Sequence, residues 1–325
     1  MSYRIGSFNL KNLGLKAMGR DNPRDLRKIA EIIRKEDFDV VALQEVLSKG
    51  KVLSWEENAR KRALLYELGA SEWDFAWADA ESENDPRSEG YAFLWKKRRL
   101  RLPVAKLEDG TIRTFKPRIC RLRKDLMTRM PYYARFTPAG LGGPYFEIRL
   151  LCVHTHFTDK VQRRRELDNL IKEVYPQVED RVYHGSKTTE QWEGEGRMPS
   201  YTIILGDYNA ELQRPFNTSG FYVEDIEIAK RWGNKKIKTV QYEKTTLKRK
   251  FDDDITDEEV GEYQNRASGY ANNYDHFSYD VDRFFGIRIY VKKIDAVRKY
   301  CNDDFETYFK TVSDHVPIVM TMGLK

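Results

Sequence analysis

Residues 203–209 read Ile-Ile-Leu-Gly-Asp-Tyr-Asn, an apolar run that gives way at once to polar side chains. A short, continuous apolar run predicts a strand that is covered on both faces by other layers. Asp207 and Asn209 follow this strand, and sheet-based proteins often place their functional groups at strand ends. Because Gly-Asp also suits an ordinary turn, the stretch gains meaning only if other strands end in the same way.

The same pattern recurs along the chain, where segments predicted as strands carry a polar group at or just beyond one end. The residues concerned are Asn9, Glu45, His154, His156, the pair Asp275-His276 and the pair Asp314-His315. Taken singly, each has an ordinary explanation, such as a surface carboxylate or a hydrogen-bonded core histidine. Together they form a set of carboxylates, amides and imidazoles without a cysteine ligand. Such a set suits Mg²⁺ or Mn²⁺ and an electrophile such as a phosphate.

Composition bounds the class of protein. With 325 residues, 40% of them apolar, the chain can form one large layered domain or two smaller ones. No segment approaches the roughly 18 apolar residues that cross a bilayer, and the first ten residues predict a strand rather than a signal peptide, which favours a cytoplasmic protein. Cys120, Cys152 and Cys301 are odd in number and widely spaced, so we expect buried thiols rather than disulfides or a zinc site.

The charge is mildly basic, with 57 Lys and Arg against 51 acids and a net charge of +6, which permits an anionic partner. The basic residues cluster at 96–101, 163–165, 235–238 and 244–250. Each cluster by itself is more typical of a solvated face than of a binding site.

Strands outnumber helices in the predicted order of elements, and no internal repeat is visible. Strands are predicted at 3–9, 38–43, 91–95, 132–136, 145–154, 201–205, 274–279, 286–294 and 316–322. Helices are predicted from about Pro23, with Asn22 as the cap, over 54–68 and over 160–175. This alternation favours packed sheets with helices outside. We therefore predict a single domain over 1–325 with a charged insertion at about 213–270.

Four segments of this sequence resemble, in order, the signature blocks of the endonuclease/exonuclease/phosphatase superfamily, the fold of deoxyribonuclease I. They are IGSFNLKNLG (5–14), DVVALQEV (39–46), ILGDYNAEL (204–212) and VSDHVPIVM (312–320). Two more, SEGYAFLWKK (88–97) and TRMPYYARF (128–136), resemble segments of deoxyribonuclease I. The resemblance implies an α/β fold, a four-layered α/β sandwich in which helices flank two packed, mostly antiparallel sheets.

The resemblance also implies a metal centre and a water-positioning pair. Glu45 would be the principal ligand of Mg²⁺ or Mn²⁺, assisted by Asn9 and Asp314. Asp207 and Asn209 would position the attacking water and the scissile phosphate. A phosphodiester transition state gathers negative charge on its oxygens, which a divalent ion and cationic or amide donors stabilise.

Further roles implied by the resemblance concern phosphate binding and the orientation of histidines. His315 would contact phosphate oxygens, and Asp275 would hold its ring. Glu89 would orient a second, central histidine, and Arg129 would contact the phosphate. A carboxylate that binds an imidazole raises its basicity and fixes its orientation.

The central histidine is either His154 or His156. The family's histidine ends a strand before a hydrophobic residue, which Thr155-His156-Phe157 fits better, whereas an ungapped alignment of LLCVHTHFTD (150–159) favours His154. We place His156 first. Because residues two apart on a strand face the same side, both are expected to reach the site.

The leading hypothesis is a metal-dependent phosphodiesterase that acts on nucleic acid, most simply a monomeric DNA endonuclease without a membrane or an obligate protein partner. The alternative is a phosphatase or phosphodiesterase of a small or lipid-headgroup phosphate, of the inositol phosphate or sphingomyelin type. A non-catalytic scaffold is disfavoured because every block keeps its polar group. Within the insertion, basic residues with Trp232, Tyr242 and Phe251 suit nucleic acid, whereas the acidic stretch 252–259 would repel it, so a plain surface excursion stays open.

Overall fold

The chain is described here by a computed structural model. It covers residues 2–13, 24–46, 55–80, 89–106, 109–120, 126–140, 146–176, 178, 199–211, 226–227, 236–241, 243–248 and 269–323. None of the helices in these ranges is long and apolar enough to span a bilayer. All three cysteines fall within these ranges and are thiols; Cys120 and Cys152 are buried as expected, whereas Cys301 is only half-buried.

Within the described ranges, six strands form the first sheet. They are β1 (Ser2–Leu13), β2 (Val40–Val46), β3 (Trp73–Asp79), β4 (Gly90–Lys96), β15 (Arg288–Lys293) and β16 (Ile318–Gly323). Their order in space is β15-β16-β1-β2-β4-β3, and β1 and β2 are the parallel pair in an otherwise antiparallel sheet. The connection between the parallel strands contains a helix, as such crossovers require.

The second sheet has the same design. Its strands are β5 (Leu100–Arg101), β8 (Arg118–Ile119), β9 (Tyr132–Pro138), β10 (Glu147–His154), β11 (Ser200–Asp207), β12 (Ile226–Glu227), β13 (Lys236–Val240) and β14 (Asp275–Asp280). The order is β12-β13-β14-β11-β10-β9-β5, with β8 also on β9, and β10 and β11 are parallel. A separate hairpin joins β6 (Val104–Lys106) to β7 (Ile112–Thr114).

Each central strand is buried on both faces, which explains its nearly continuous apolar sequence. In β2, Val40 and Ala42 pack into the core between the sheets, whereas Val41 and Leu43 pack outward under the helices. In β11, Leu205 faces the core between the sheets and Ile204 faces the outer side. Alternate side chains point to opposite faces, so both sets must be apolar.

The helices form the two outer layers. Over the first sheet lie α1 (Leu26–Lys35), α2 (Trp55–Leu68), α4 (Ala296–Cys301) and α5 (Phe305–Thr311); over the second lie α3 (Lys160–Asn169) and a π-helical turn (Leu170–Val174). The predicted sandwich of two mostly antiparallel sheets flanked by helices is confirmed.

Helix starts depend on aspartate caps. The N-cap of α1 is Asp25, whose side chain accepts a hydrogen bond from Lys28 N, so α1 begins at Leu26. The predicted cap Asn22 and first residue Pro23 lie outside the described residues. Asp159, Asp295 and Asp304 cap α3, α4 and α5 in the same way.

Part of the 213–270 insertion belongs to the fold. Strand β13 pairs with β14 and thereby extends the second sheet. Residues 243–248 run beside His315, which forms an isolated β-bridge with Thr246. Lys235, Arg249, Lys250 and the acidic stretch 252–259 lie outside the described residues. The cluster 96–101 lies at the turn between β4 and β5, where Arg99 Nε binds Asp39 Oδ1 at 2.8 Å.

Candidate active site

The polar strand ends meet at one edge of the sandwich. Asn9 of β1 pairs with Gln44 of β2, so Glu45 comes next to it. In the other sheet His154 of β10 pairs with Asp207 of β11, and Asp207 pairs with the first residue of β14, Asp275. Strands β4, β9 and β16 also begin at this edge. The carboxyl ends of parallel strands share an edge, which is why residues so distant in sequence come together.

Asn9 joins the two sheets through its amide. Its Nδ2 donates to Glu45 Oε1 at 3.0 Å and to Asp207 Oδ2 at 3.0 Å, and its side chain is fully buried. Its Oδ1 accepts a hydrogen bond from Lys11 N at 2.9 Å. Asn9 therefore holds two carboxylates in register across the sandwich.

Glu45 is held in an uncommon conformation. Its φ of 56° lies in the left-handed region, which costs a residue with a Cβ free energy and is characteristic of functional sites. Its Oε2 accepts a hydrogen bond from Asn12 N at 3.1 Å. Burial raises the pKa of the Glu45 carboxyl, and the nearby His154 imidazolium opposes that rise. A carboxylate in this setting is stabilised by an added cation.

Asp207 follows a glycine that the packing requires. A Cβ on Gly206, whose φ is 145°, would lie 2.0 Å from Val153 O of the neighbouring strand. Asp207 Oδ1 accepts a hydrogen bond from Asn209 N at 2.8 Å, which leaves Oδ2 facing the histidines. Burial raises the pKa of Asp207, and the imidazolium charges of His315 and His154 oppose this.

His154 is part of a chain of charged groups. Its Nδ1 lies 2.9 Å from Glu89 Oε2, and Arg129 Nε lies 2.7 Å from the same oxygen. Burial opposes the charge of His154, but the Glu89 carboxylate outweighs it and raises the imidazole pKa. Burial alone would raise the pKa of Glu89, yet His154 and Arg129 lower it to about 2. The predicted orienter Glu89 is thus in contact with His154.

His315 is held by a second carboxylate. Its Nδ1 lies 2.8 Å from Asp275 Oδ2, with both side chains buried. Burial lowers the imidazole pKa, but Asp275 and Asp207 outweigh it and raise the pKa to about 10. The Nε2 atoms of His315 and His154 each lie 3.6 Å from Asp207 Oδ2. Two oriented imidazoles therefore flank one buried carboxylate oxygen.

Asp314 completes the charged cluster. Its Oδ2 lies 2.7 Å from Lys11 Nζ, and its Oδ1 is buried and accepts no hydrogen bond from the described residues. Burial raises the pKa of Asp314, but His315 and Lys11 outweigh it and hold the pKa below its usual value. Asp314 is therefore an ionised group with a lone pair left over.

The structure does not bring His156 into this cluster. Strand β10 ends at His154, so His156 is not part of the strand. The expectation that both side chains lie on one face of the strand therefore does not apply. His156 is half-buried, its Nε2 lies 3.1 Å from Thr158 Oγ1, and its N–H donates to Glu166 Oε2 at 2.8 Å. The expectation that both histidines reach the site is therefore wrong, and it is His154 rather than His156 that contacts Glu89 and Asp207.

Asn209 and Arg129, two of the three residues expected to contact phosphate, share one backbone acceptor. Asn209 Nδ2 donates to Thr155 O at 3.0 Å, and Arg129 Nη1 donates to the same oxygen at 3.3 Å. Arg129 also donates from Nη2 to Glu89 Oε1 at 3.2 Å. Both side chains are thus fixed near the site, and their contact with phosphate stays a prediction.

Glu166 is a buried residue that the sequence reading missed. It lies on α3, is 2% exposed, and its Oε1 accepts hydrogen bonds from Thr128 N at 2.7 Å and from Thr128 Oγ1. Its Oε2 accepts the His156 N–H. One carboxylate therefore connects the segment that carries Arg129 to the segment that follows His154. On a helix of charged residues, nothing in the sequence distinguishes Glu166.

Thr245 is a second missed residue, and it comes from the insertion. Its Oγ1 accepts hydrogen bonds from Tyr274 N at 3.2 Å and Asp275 N at 3.3 Å, and its carbonyl accepts Val316 N at 2.9 Å. Leu247 N donates to Asp314 O at 2.7 Å. The insertion thus supports both segments that carry the Asp275–His315 pair.

The donor atoms fit a hard divalent ion. Glu45 presents two oxygens that each accept a single hydrogen bond, and Asp314 Oδ1 accepts none within the described residues. In the described part of the chain no three carboxylates, imidazoles or thiols form a ready-made cluster. Mg²⁺ is commonly held by one or two carboxylates while it keeps several waters. Glu45 and Asp314 would hold such an ion, whereas Asn9 directs its NH₂ group at the carboxylates and could reach it only through Oδ1.

Comparison with solved structures gives the same fold. A mannosyl-6-phosphatase from Bacteroides thetaiotaomicron aligns with a TM-score of 0.52 and 13% identity, over 99% of this chain and 100% of that one. TDP2 from Caenorhabditis elegans aligns with 0.52 and 14%, over 100% of this chain and 75% of that one. A family protein from Bacteroides thetaiotaomicron aligns with 0.50 and 14%, over 100% and 99%.

Sequence comparison identifies the family. No curated protein sequence matches the chain significantly. A family model described as the endonuclease/exonuclease/phosphatase family matches residues 6–226, which is more than half of the chain. The matched residues include Asn9, Glu45, His154 and Asp207. The structure brings these four side chains together at one edge of the sandwich. The chain therefore belongs to the endonuclease/exonuclease/phosphatase family, a family of phosphoric-ester hydrolases.

Proposed function

We propose that the chain is a divalent-metal-dependent phosphodiesterase whose substrate is DNA. The observation that carries the proposal is the pair of imidazoles around Asp207. His154 and His315 are each bound at Nδ1 by a carboxylate, and each directs Nε2 to within 3.6 Å of Asp207 Oδ2. Such an arrangement offers one base and two oriented cationic donors to a single reacting group.

The chemistry divides among these residues. Asp207 accepts a proton from water, and burial makes this carboxylate a stronger base by raising its pKa. The water oxygen then bonds to phosphorus as the ester P–O bond breaks, and charge develops on the phosphate oxygens. His154 and His315 stabilise that charge through Nε2, and one of them protonates the leaving oxygen. An ion at Glu45 and Asp314 would add Lewis-acid stabilisation of the same charge.

The proposal of a polynucleotide substrate is supported by the insertion. Lys244 and Lys248 are exposed and flank Thr245, Thr246 and Leu247, which bond directly to the segment of Asp314 and His315. Positive charge beside the catalytic groups suits a substrate that extends beyond the scissile phosphate. A small or headgroup phosphate needs only the central cluster, so its hydrolysis is the competing outcome of the test.

The test compares the wild type with Glu45→Gln on plasmid DNA, single-stranded DNA, RNA and inositol phosphates, with Mg²⁺ and with excess chelator. We expect cleavage of DNA that requires the ion, and a loss of about 10²–10³-fold in Glu45→Gln, because the amide keeps the size of the side chain and removes its charge. Glu72→Gln, an exposed change, is the matched control.

Two results would contradict the proposal in different ways. Turnover of any substrate in excess chelator would remove the metal requirement. Hydrolysis of inositol phosphates without cleavage of any polynucleotide would keep the metal chemistry and reassign the substrate class.

A further inference from the structure

Lys11 lies inside the charged cluster rather than on the surface. Its side chain is 14% exposed, its Nζ lies 2.7 Å from Asp314 Oδ2, and the same nitrogen lies 3.5 Å from the centroid of the Phe309 ring. A buried ammonium needs a partner, and here a carboxylate and an aromatic face provide it. The charge of Lys11 is therefore fixed at the site and shielded from solvent.

The backbone around Lys11 is fixed as well. Lys11 has a φ of 40°, and its N–H donates to Asn9 Oδ1. Its carbonyl accepts two hydrogen bonds from Arg24, at 2.9 Å from Nε and 2.7 Å from Nη2. Arg24 Nη1 donates to Phe309 O at 3.0 Å. The ammonium, its aromatic neighbour and Asn9 are thus parts of one rigid assembly.

Positive charge already lies beside Asp314. The described cluster has five carboxylates, Glu45, Glu89, Asp207, Asp275 and Asp314, and four bases, Lys11, Arg129, His154 and His315. A further base, Arg24, binds the carbonyl of Lys11, and its guanidinium also lowers the pKa of Asp314. A second divalent ion at Asp314 would add positive charge to a buried group that already lies beside these two cations, which burial disfavours.

We propose that the Lys11 ammonium is a permanent cation of this site. It lies on the side of Asp314 where a second divalent ion would otherwise bind. The inference rests on the proposed function, because it concerns the ion that this site binds. Asp314 Oδ2 forms the salt bridge with Lys11. The carboxylate of Glu45 and Asp314 Oδ1 are therefore left to coordinate one ion. Lys11 supplies the second positive charge without the cost of dehydrating another ion.

The test counts bound Mn²⁺ in the metal-stripped full chain by electron paramagnetic resonance and titration calorimetry, independently of turnover. We expect one ion per wild-type chain and one in Lys11→Arg, which keeps the charge. Lys11→Met keeps the apolar stem, removes the charge and is expected to bind two ions. The double variant with Asp314→Asn should return to one, and Lys97→Met on the opposite edge should match the wild type.

Each result decides the matter. Two ions in the wild type, or one ion in a folded Lys11→Met chain, would overturn the role of Lys11 while leaving metal-dependent hydrolysis intact. No bound ion in the wild type would overturn both this inference and the metal dependence of the proposed function. The wild-type count applies even if Lys11→Met does not fold, and Lys11→Gln then replaces it.

Discussion

One strand boundary determines which histidine belongs to the site. His154 is the last residue of β10 and pairs with Asp207, whereas Thr155 and His156 already lie beyond the strand. Thr155 N donates to Asp207 O at 3.1 Å, and from there the chain turns toward Glu166. The ring of His154 is therefore bound by Glu89, a carboxylate whose pKa is lowered to about 2, whereas the ring of His156, two residues later, is bound by a threonine hydroxyl.

Replacing each histidine by alanine tests this assignment. We predict that His154→Ala lowers kcat by at least about 10²-fold, the lower range for loss of an acid-base or charge-stabilising group. His156→Ala should change kcat only a few-fold, because its backbone contact to Glu166 does not need the ring. The measurement is single-turnover cleavage of one DNA substrate, and the opposite ranking would return the role to His156.

Two buried threonines differ in whether their hydroxyl oxygen accepts hydrogen bonds, so they can be compared by the same substitution. Thr245→Val removes the acceptor for Tyr274 N and Asp275 N, and unpaired buried N–H groups cost about 1–3 kcal/mol each. Thr202 Oγ1 is buried and has no hydrogen-bond partner among the described residues, so Thr202→Val should be neutral or stabilising. We predict that Thr245→Val lowers the free energy of unfolding and lowers kcat by at least about tenfold, whereas Thr202→Val does neither. Equal effects in urea unfolding would contradict this.

At the scale of elements, the site depends on segments between strands as much as on strand ends. Helix α3 contributes Glu166, whose side chain bonds the segment before β9 to the segment after β10. The insertion contributes the short stretch 243–248, which bonds the segments before β14 and β16. Catalytic groups on such short segments keep their geometry only while these bonds hold.

Glu166 tests that dependence. Glu166→Ala leaves Thr128 N and His156 N without their acceptor, so we predict a loss of about 1–3 kcal/mol in unfolding free energy and at least about a tenfold loss in kcat. Glu166→Gln keeps one acceptor oxygen and should retain part of both. Glu173→Ala, at an exposed position of the following π-helical turn, is the control. Stability loss with unchanged kcat would show that Glu166 only supports the fold.

At the scale of the molecule, the basic clusters separate by edge. Lys244 and Lys248 lie beside the segment of His315. The cluster around Arg98 and Arg101 lies at the turn after β4, whereas Glu89 precedes β4 at the site edge, so that cluster is a strand length away. Of these two groups, Lys244 and Lys248 are the ones that lie beside the site.

Charge reversal distinguishes the two groups. We predict that the double variant Lys244→Glu, Lys248→Glu binds DNA more weakly. The slope of log K against log salt concentration should become shallower by about two, because each lost phosphate contact removes about one released counterion. Hydrolysis of a small chromogenic phosphodiester should hardly change. Arg98→Glu with Arg101→Glu should leave both unchanged. Unaltered DNA affinity and salt slope in the folded lysine variant would favour a small substrate.

The sequence by itself determined the layers and most strand ends. Apolar runs such as 203–205 predict strands that are buried on both faces, and their polar ends at Asn9, Glu45, Asp207 and His315 predict the edge at which these groups meet. Short or half-exposed elements gave no such signal. Strand β3 lies at an edge, and its residues after Trp73 are only half-buried, while α4 and α5 have six and seven residues.

Only the tertiary structure decided which polar groups share a hydrogen bond. Such bonds depend on distances between segments far apart in sequence, as between Lys11 and Asp314 or Thr245 and Asp275, and local periodicity carries no information about them. The end of β10 at His154 was likewise decided by where its pairing with β11 stops, not by a residue preference. Strand burial follows from side-chain hydrophobicity alone, whereas the charge balance of a site exists only once the strands have been brought to one edge.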